Sequence, residues 1–244
     1  MSNDLTSAEW FPAPLKIGLE ADEVHVWRAS LDCNPAELSR LKASLSPDEL
    51  TRAARFVSEK DQHHFTAARG ILRELVGAYL EVPPDQITFR YGSNGKPELD
   101  HQSLPLQFNL SHASGFAVYG FSLERQIGID VELLRPQNAA EDIAARYFAA
   151  GEIAELRKLD PELRTEGFFC CWTRKEAYVK AHGSGLSIPL DSFAVSLTPS
   201  QPTELHSSDR ARWSMRTFKP WPGCIAAIVV EQPTKTMRFW NWGT

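Results

Sequence analysis

Residues 126–133 read Gln-Ile-Gly-Ile-Asp-Val-Glu-Leu, and their alternation organises the chain around them. Ile127, Ile129, Val131 and Leu133 share one face of an extended backbone, and Gly128, Asp130 and Glu132 share the other. Four branched apolar residues in step predict a strand packed on a core. Two carboxylates one residue apart on a strand sit roughly 7 Å apart, at about 3.3 Å rise per residue, and are able to converge on one cation. Gly128, lacking a side chain, is expected to leave room for a bulky ligand beside them. A lone D-x-E pair is more often a solvated strand face than a metal site.

Upstream, VHVWRASL (24–31) alternates as a strand, and Pro47 with Asp48 and Glu49 opens a helix at Ser46. Phe65, Ala68, Ile71, Leu72, Leu75, Val76 and Tyr79 fall at helical spacing, stopped by Pro83-Pro84. ITFRY (87–91) reads as a strand and GSNGKP (92–97) as a tight loop. LQFNL (106–110) and FAVYGFS (116–122) read as strands flanking a turn made by SHASG (111–115). Downstream, helical stretches at 139–159 and 165–182 precede strands near 193–197, 213–218 and 224–231. The second series repeats the order of the first, and Arg55-Phe56 is echoed by Arg146-Tyr147-Phe148. The expected fold class is α+β: two pseudo-symmetric, similar α+β halves, residues 1–125 and 126–244, with the active site in the cleft between them.

The composition bounds the function. At 244 residues, 43% hydrophobic and 23% charged, the chain reads as an ordinary folded protein, which excludes disordered, collagenous and coiled-coil classes. The longest apolar run, Cys224 to Val230, is far short of a membrane span, and the first residues lack a signal-peptide pattern. A soluble cytoplasmic protein without a membrane partner is expected, as a monomer. With 26 Lys and Arg against 31 Asp and Glu, a net charge of −5 disfavours nucleic acid as a partner, so any phosphate chemistry needs a local basic cluster. Cys33, Cys170, Cys171 and Cys224 have no zinc spacing and read as reduced core residues.

A third carboxylate changes the weight of the D-x-E pair. Within WTRKEAYVK (172–180), Glu176 lies four residues after Trp172 and three before Val179, inside an apolar stripe. Partial burial there demands a cation or hydrogen bonds, the plain alternative being a surface pair with Lys180 at i,i+4. Arg69, Lys96, Lys175 and Lys180 are the cations that could surround an anionic ligand, and Ser111 with His112 offers a hydroxyl and an imidazole at a turn. Ser111, His112 and Asp130 also compose a hydrolase triad on paper, but no G-x-S-x-G elbow accompanies them.

These residues carry a likeness. FNLSH (108–112), GIDVE (128–132) and WTRKEAYVKAHGSGLSIPLDSF (172–193), in this order, resemble the Sfp-type 4'-phosphopantetheinyl transferases, and GKP (95–97), Arg69 and RYF (146–148) extend the likeness from about Ser46 to Phe193. The resemblance implies coenzyme A bound between the halves as co-substrate and a Mg²⁺ ion. By it, Asp130, Glu132 and Glu176 form the metal site, one glutamate acting through water. Ser111 and His112 meet the 3'-phosphate, and Arg69, Lys96 and Pro97 line the adenosine end. Lys175 and Lys180 face the pyrophosphate or the reaction centre. A departure falls in residues 46–56, where the family pattern is more basic but this chain has Glu49 and keeps Arg52 and Arg55.

The implied reaction moves phosphopantetheine from coenzyme A to a serine of an apo acyl or peptidyl carrier protein, releasing adenosine 3',5'-bisphosphate. Glu132 or Glu176 would take the proton, with Lys180 competing. The carrier is expected near Phe148 to Leu163. A metal-dependent phosphodiesterase or nuclease and a non-catalytic coenzyme A-binding module are the alternative readings of the same inventory.

Overall fold

The computed structural model describes residues 8–92, 95–100, 104–135, 140–183, 188–199 and 201–243. The first half runs β1 (Phe11–Pro12), β2 (Glu23–Ser30), α1 (Pro35–Ala43), α2 (Pro47–Ala53), α3 (Glu59–Leu80), β3 (Phe89–Tyr91), β4 (Pro97–Leu99), β5 (Leu106–Ala113) and β6 (Phe116–Leu123). The second runs β7 (Ile127–Leu133), α4 (Ala140–Tyr147), α5 (Ala150–Lys158), α6 (Pro161–His182), β8 (Ala194–Val195), β9 (Leu205–His206), β10 (Trp213–Phe218), β11 (Cys224–Glu231) and β12 (Thr236–Asn241).

Local chemistry sets the long helices. Ser58 accepts a hydrogen bond from the Asp61 amide at 3.3 Å to start α3, and Glu81 adopts a left-handed φ of 55° to end it before Pro83. The apolar stripe from Phe65 to Tyr79 is buried throughout. Asp160 and Pro161 open α6, and Gly183, at φ 70°, closes it.

The layers follow from which faces are apolar. Ala68, Ile71, Leu72 and Leu75 of α3 pack on Trp27, Ala29, Phe108, Tyr119 and Phe121, one face of a sheet ordered β1-β12-β2-β6-β5. The opposite face, Val24, Val26 and Val118, packs on Ile127, Ile129, Val131, Ala226, Ile228 and Val230 of a second sheet, β10-β11-β7. The outer face of that sheet, Ile225, Ala227 and Val229, receives α6 through Phe168, Ala177, Tyr178 and Ala181. The result is an α+β molecule in four layers, helix, sheet, sheet, helix, with a 22-residue helix outermost on each side. Among the described residues no helix is long and apolar enough to cross a membrane.

Three departures from the sequence reading matter. The turn expected over residues 111–115 contracts to Ser114 and Gly115, at φ 49° and 87°, because a two-residue hairpin loop needs positive φ at both positions. Ser111 and His112 therefore remain on β5, paired with Val118 and Ala117. The helical stretch at 139–159 is two helices, and the strand expected at 193–197 holds only Ala194–Val195. Finally, β12, which carries no clear alternation, lies parallel to β2. By sequence it belongs to the second half and by pairing to the first.

Candidate active site

Gly128 determines how closely α6 approaches β7. A Cβ there would fall 2.1 Å from the Ala177 carbonyl oxygen and 2.3 Å from the Ala181 amide nitrogen, so the helix backbone rests on bare strand. This corrects the expectation that Gly128 leaves space for a ligand: α6 occupies that space. The contact also brings Lys180 onto Asp130. Lys180 Nζ donates to Asp130 Oδ1 at 2.7 Å, to Ser111 Oγ at 3.2 Å and to the Ile129 carbonyl at 3.3 Å. Ser111 Oγ in turn donates to Asp130 Oδ1 at 2.9 Å. The i,i+4 surface pair is absent, since among the described residues Glu176 has no ion pair with Lys180.

The three carboxylates of the sequence reading feel one another. Asp130 is 5% exposed, and its Oδ2 is buried without a hydrogen-bond partner. Burial, and then the Asp130 charge, pushes Glu132 up to about 7; Lys180 and Arg135 oppose the shift. Burial followed by Asp130 also raises Glu176. Among the described residues no three His, Cys, Asp or Glu side chains stand close enough to enclose a metal ion by themselves. The set suits an ion that takes one or two protein carboxylates and keeps its waters.

Beside this group lies a cavity of about 480 Å³, lined by Arg52, Phe56, Phe65, Arg69, Lys96, Pro97, Ser111, His112 and Lys180 among others. It gathers cations from both halves. Arg69 is buried between the rings of Phe65 and Tyr91, each 5.7 Å away, and its Nη1 has no partner. Burial lowers the Arg69 pKa, so its charge is held at a cost that an anion would relieve. His112 is held below its ordinary value by desolvation first, then by the Lys180 and Arg69 charges. An aromatic wall, an orphaned arginine donor and an excess of positive charge suit a ligand with a flat ring and several phosphates.

Of the expected ligand-binding residues, Arg69, Lys96, Pro97, Ser111, His112 and Lys180 line this cavity, and Lys175 does not. Lys175 is fully buried on the other side of α6, where Nζ donates to the Leu190 and Phe193 carbonyls at 2.7 and 2.6 Å and pairs with Glu152 at 2.9 Å. The assignment of Lys175 to the pyrophosphate is corrected on that ground, because five residues of helix turn Lys175 about 140° away from Lys180. Lys96 Nζ donates to the Ile127 carbonyl at 3.2 Å and the Lys180 carbonyl at 2.9 Å, and burial brings its pKa to about 8.

The departure at Glu49 has a local reason. Its Oε2 accepts from the Ser46 amide at 3.1 Å and from Arg73 Nε at 2.7 Å, so it caps α2 and pairs inside the protein. Arg52, one turn on, faces the cavity. Sequence reading missed Phe65, counted only as core, and Asn109, whose Oδ1 accepts from the Ile129 amide at 2.9 Å across the seam between the sheets. Asn109 lies inside the FNLSH motif, whereas Phe65 had no signal beyond its place on the helix that carries Arg69.

Comparison with known proteins agrees with this architecture. Residues 27–122 match the model described as 4'-phosphopantetheinyl transferase, N-terminal, and residues 126–229 match the 4'-phosphopantetheinyl transferase superfamily. The chain is 42% identical to 4'-phosphopantetheinyl transferase HetI of Nostoc sp. over 96% of its own length and 98% of that protein's. It is 31% identical to 4'-phosphopantetheinyl transferase psf-1 of Bacillus pumilus, covering 81% and 83% of the two chains. With 4'-phosphopantetheinyl transferase Sfp of Bacillus subtilis it shares 29% identity over 81% and 87%. Two family models meeting at the seam, and full-length similarity at this level, mean that the chain belongs to the 4'-phosphopantetheinyl transferase family.

Proposed function

We propose that this protein transfers the 4'-phosphopantetheine arm of coenzyme A to a serine hydroxyl of an apo acyl or peptidyl carrier protein, with Mg²⁺ and release of adenosine 3',5'-bisphosphate. One observation carries the reading: a single wall, Ser111 and Lys180, joins a cavity with an unpartnered buried arginine donor to a carboxylate group with an unpartnered buried acceptor. Coenzyme A bears anionic phosphates for the first and, with its metal, a cation for the second.

The division of labour is that residues 1–125 grip the nucleotide and residues 126–244 supply the carboxylates and α6. Arg52 and Arg69 neutralise phosphate, His112 offers it a hydrogen bond, and Phe65 packs on the adenine side. Lys180, ion-paired with Asp130 and with its hydrogens already engaged, sets its positive charge beside the pyrophosphate and does not accept the proton. Asp130, with Glu132 or Glu176, would hold the metal, which fits because burial and mutual repulsion leave these groups short of positive charge. When bound, the ion neutralises charge on the pyrophosphate. The serine oxygen forms a bond to the pantetheine-side phosphorus as the bond from that phosphorus to the bridging oxygen breaks. The hydroxyl proton passes to Glu132 or Glu176, whichever is free of the metal.

The test is intact-mass measurement on a panel of apo carriers incubated with the protein, coenzyme A and Mg²⁺. A gain of one phosphopantetheine per carrier is expected. Coenzyme A hydrolysis without a carrier, or binding with no gain in mass on any carrier, overturns the reading.

A further inference from the structure

The edge of β7 that faces β5 is not closed by a ladder between the sheets. It is satisfied by side chains. Asn109 takes the Ile129 amide, Lys180 takes the Ile129 carbonyl, and Lys96 takes the Ile127 carbonyl. Lys96 does more than the others, because its second bond goes to the Lys180 carbonyl in the last turn of α6. That carbonyl belongs to a helix end, where backbone acceptors lack intrahelical partners; it also receives the Gly183 amide at 3.2 Å. One ammonium from the loop before β4 thus ties the first residue of β7 to the turn that carries Lys180.

We infer that Lys96 is a positioning residue for the transfer reaction, holding the start of β7 and the end of α6 in register, and that it is not a ligand for a coenzyme A phosphate. The inference rests on the proposed function and deepens it. Two of the three ammonium hydrogens are spent on backbone carbonyls, and no anionic side chain pairs with Lys96 among the described residues. The groups assigned to the nucleotide phosphate, Arg52, Arg69 and His112, stand on α2, α3 and β5, none of which Lys96 braces. The groups of the reaction centre, Asp130, Glu176 and Lys180, stand on the two elements it joins. Loss of the ammonium should therefore misplace the reacting groups and leave ligand binding nearly intact, because a small displacement lowers kcat steeply.

The experiment measures kcat and KM for coenzyme A with a competent carrier, and the dissociation constant of coenzyme A by calorimetry, for Lys96→Met and Lys96→Cys. Expected is a kcat loss of about tenfold or more, with KM and the dissociation constant within about threefold of wild type. Alkylating Lys96→Cys with 2-bromoethylamine, which rebuilds an ammonium at lysine's reach, should restore most of kcat. Wild type treated alike controls for the half-buried Cys33. A rise in KM and the dissociation constant with kcat preserved would show a phosphate contact and overturn the inference, as would unchanged kinetics or failure of rescue. If the neutral variants do not fold, Lys96→Arg gives the same division: a kcat loss supports the positioning role, and a KM effect alone or unchanged kinetics overturns it. Absence of transfer by the wild-type protein would instead sink the enzymatic reading.

Discussion

Asp130 and Lys180 meet at 2.7 Å through Oδ1 alone, which leaves Oδ2 of a buried carboxylate free to take a cation. Replacing Asp130 with Asn keeps the shape and an oxygen acceptor for Lys180 but removes the charge that a divalent ion requires. Transfer should fall by about 10² or more. Because Lys180 retains 29% exposure, its unpaired charge reaches water and the unfolding free energy should change by only about 1 kcal/mol. Paired turnover and urea-unfolding measurements check this, and loss of folding in step with loss of activity would contradict it.

Lys175 supplies the opposite case. Its ammonium is fully buried against Glu152, so Lys175→Met strands a buried carboxylate and should cost about 3–5 kcal/mol. Adding Glu152→Gln removes the stranded charge and keeps one of the two hydrogen bonds that Glu152 accepts from the Ala149 and Val195 amides, and should recover part of that loss. Urea unfolding of the single and double variants gives the coupling. An Lys175→Met protein of normal stability with a raised KM for coenzyme A would return Lys175 to the ligand.

How far the sequence could be read tracks the range of the forces involved. The strand at Ile127–Leu133 and the stripe of α3 are periodic over many residues, and periodicity survives folding because burial acts on every apolar position at once. Which side of α6 Lys175 and Lys180 serve is decided by packing against a strand 50 residues away, and nothing in WTRKEAYVK reveals it. Gly128 was read from its own missing side chain, when the deciding fact was the helix that fills the gap. β12 escaped notice because only Phe239 of its residues is fully buried, so its pattern does not alternate.

Gly128→Ala probes that helix contact directly. The added methyl would meet the Ala177 and Ala181 backbone, which cannot rotate away as a side chain does, so α6 must move outward. A loss of about 1–3 kcal/mol is expected from overpacking, with a drop in kcat larger than any change in KM, because the displaced turn carries Glu176 and Lys180. Denaturation midpoints and steady-state kinetics report both. Wild-type stability and turnover together would show that the strand and helix are less tightly seated.

The last prediction concerns acid sensitivity far from the site. His25 is 2% exposed, bonded through Nδ1 to Tyr79 Oη at 2.8 Å, and burial carries its pKa down to about 4 against Glu23, which opposes the shift. Between 6.5 and 4 the unfolded chain binds a proton that the folded chain refuses. Stability from this group is therefore complete above about pH 6.5 and declines as pH falls, by about 2 kcal/mol at pH 5 from 1.36 kcal/mol per unit. Glu132, raised to about 7, contributes with the opposite sign, since its folded form keeps a proton that the unfolded chain has lost, and stability from it declines as pH rises from 4.5 to 7. Wild-type melts alone mix these slopes with those of Glu176 and His112. The difference between wild type and His25→Gln cancels the groups the two proteins share and isolates the histidine: urea midpoints at pH 7.5 and pH 5 should move less in the variant. Equal movement in both proteins would mean that His25 takes up its proton without disturbing the fold.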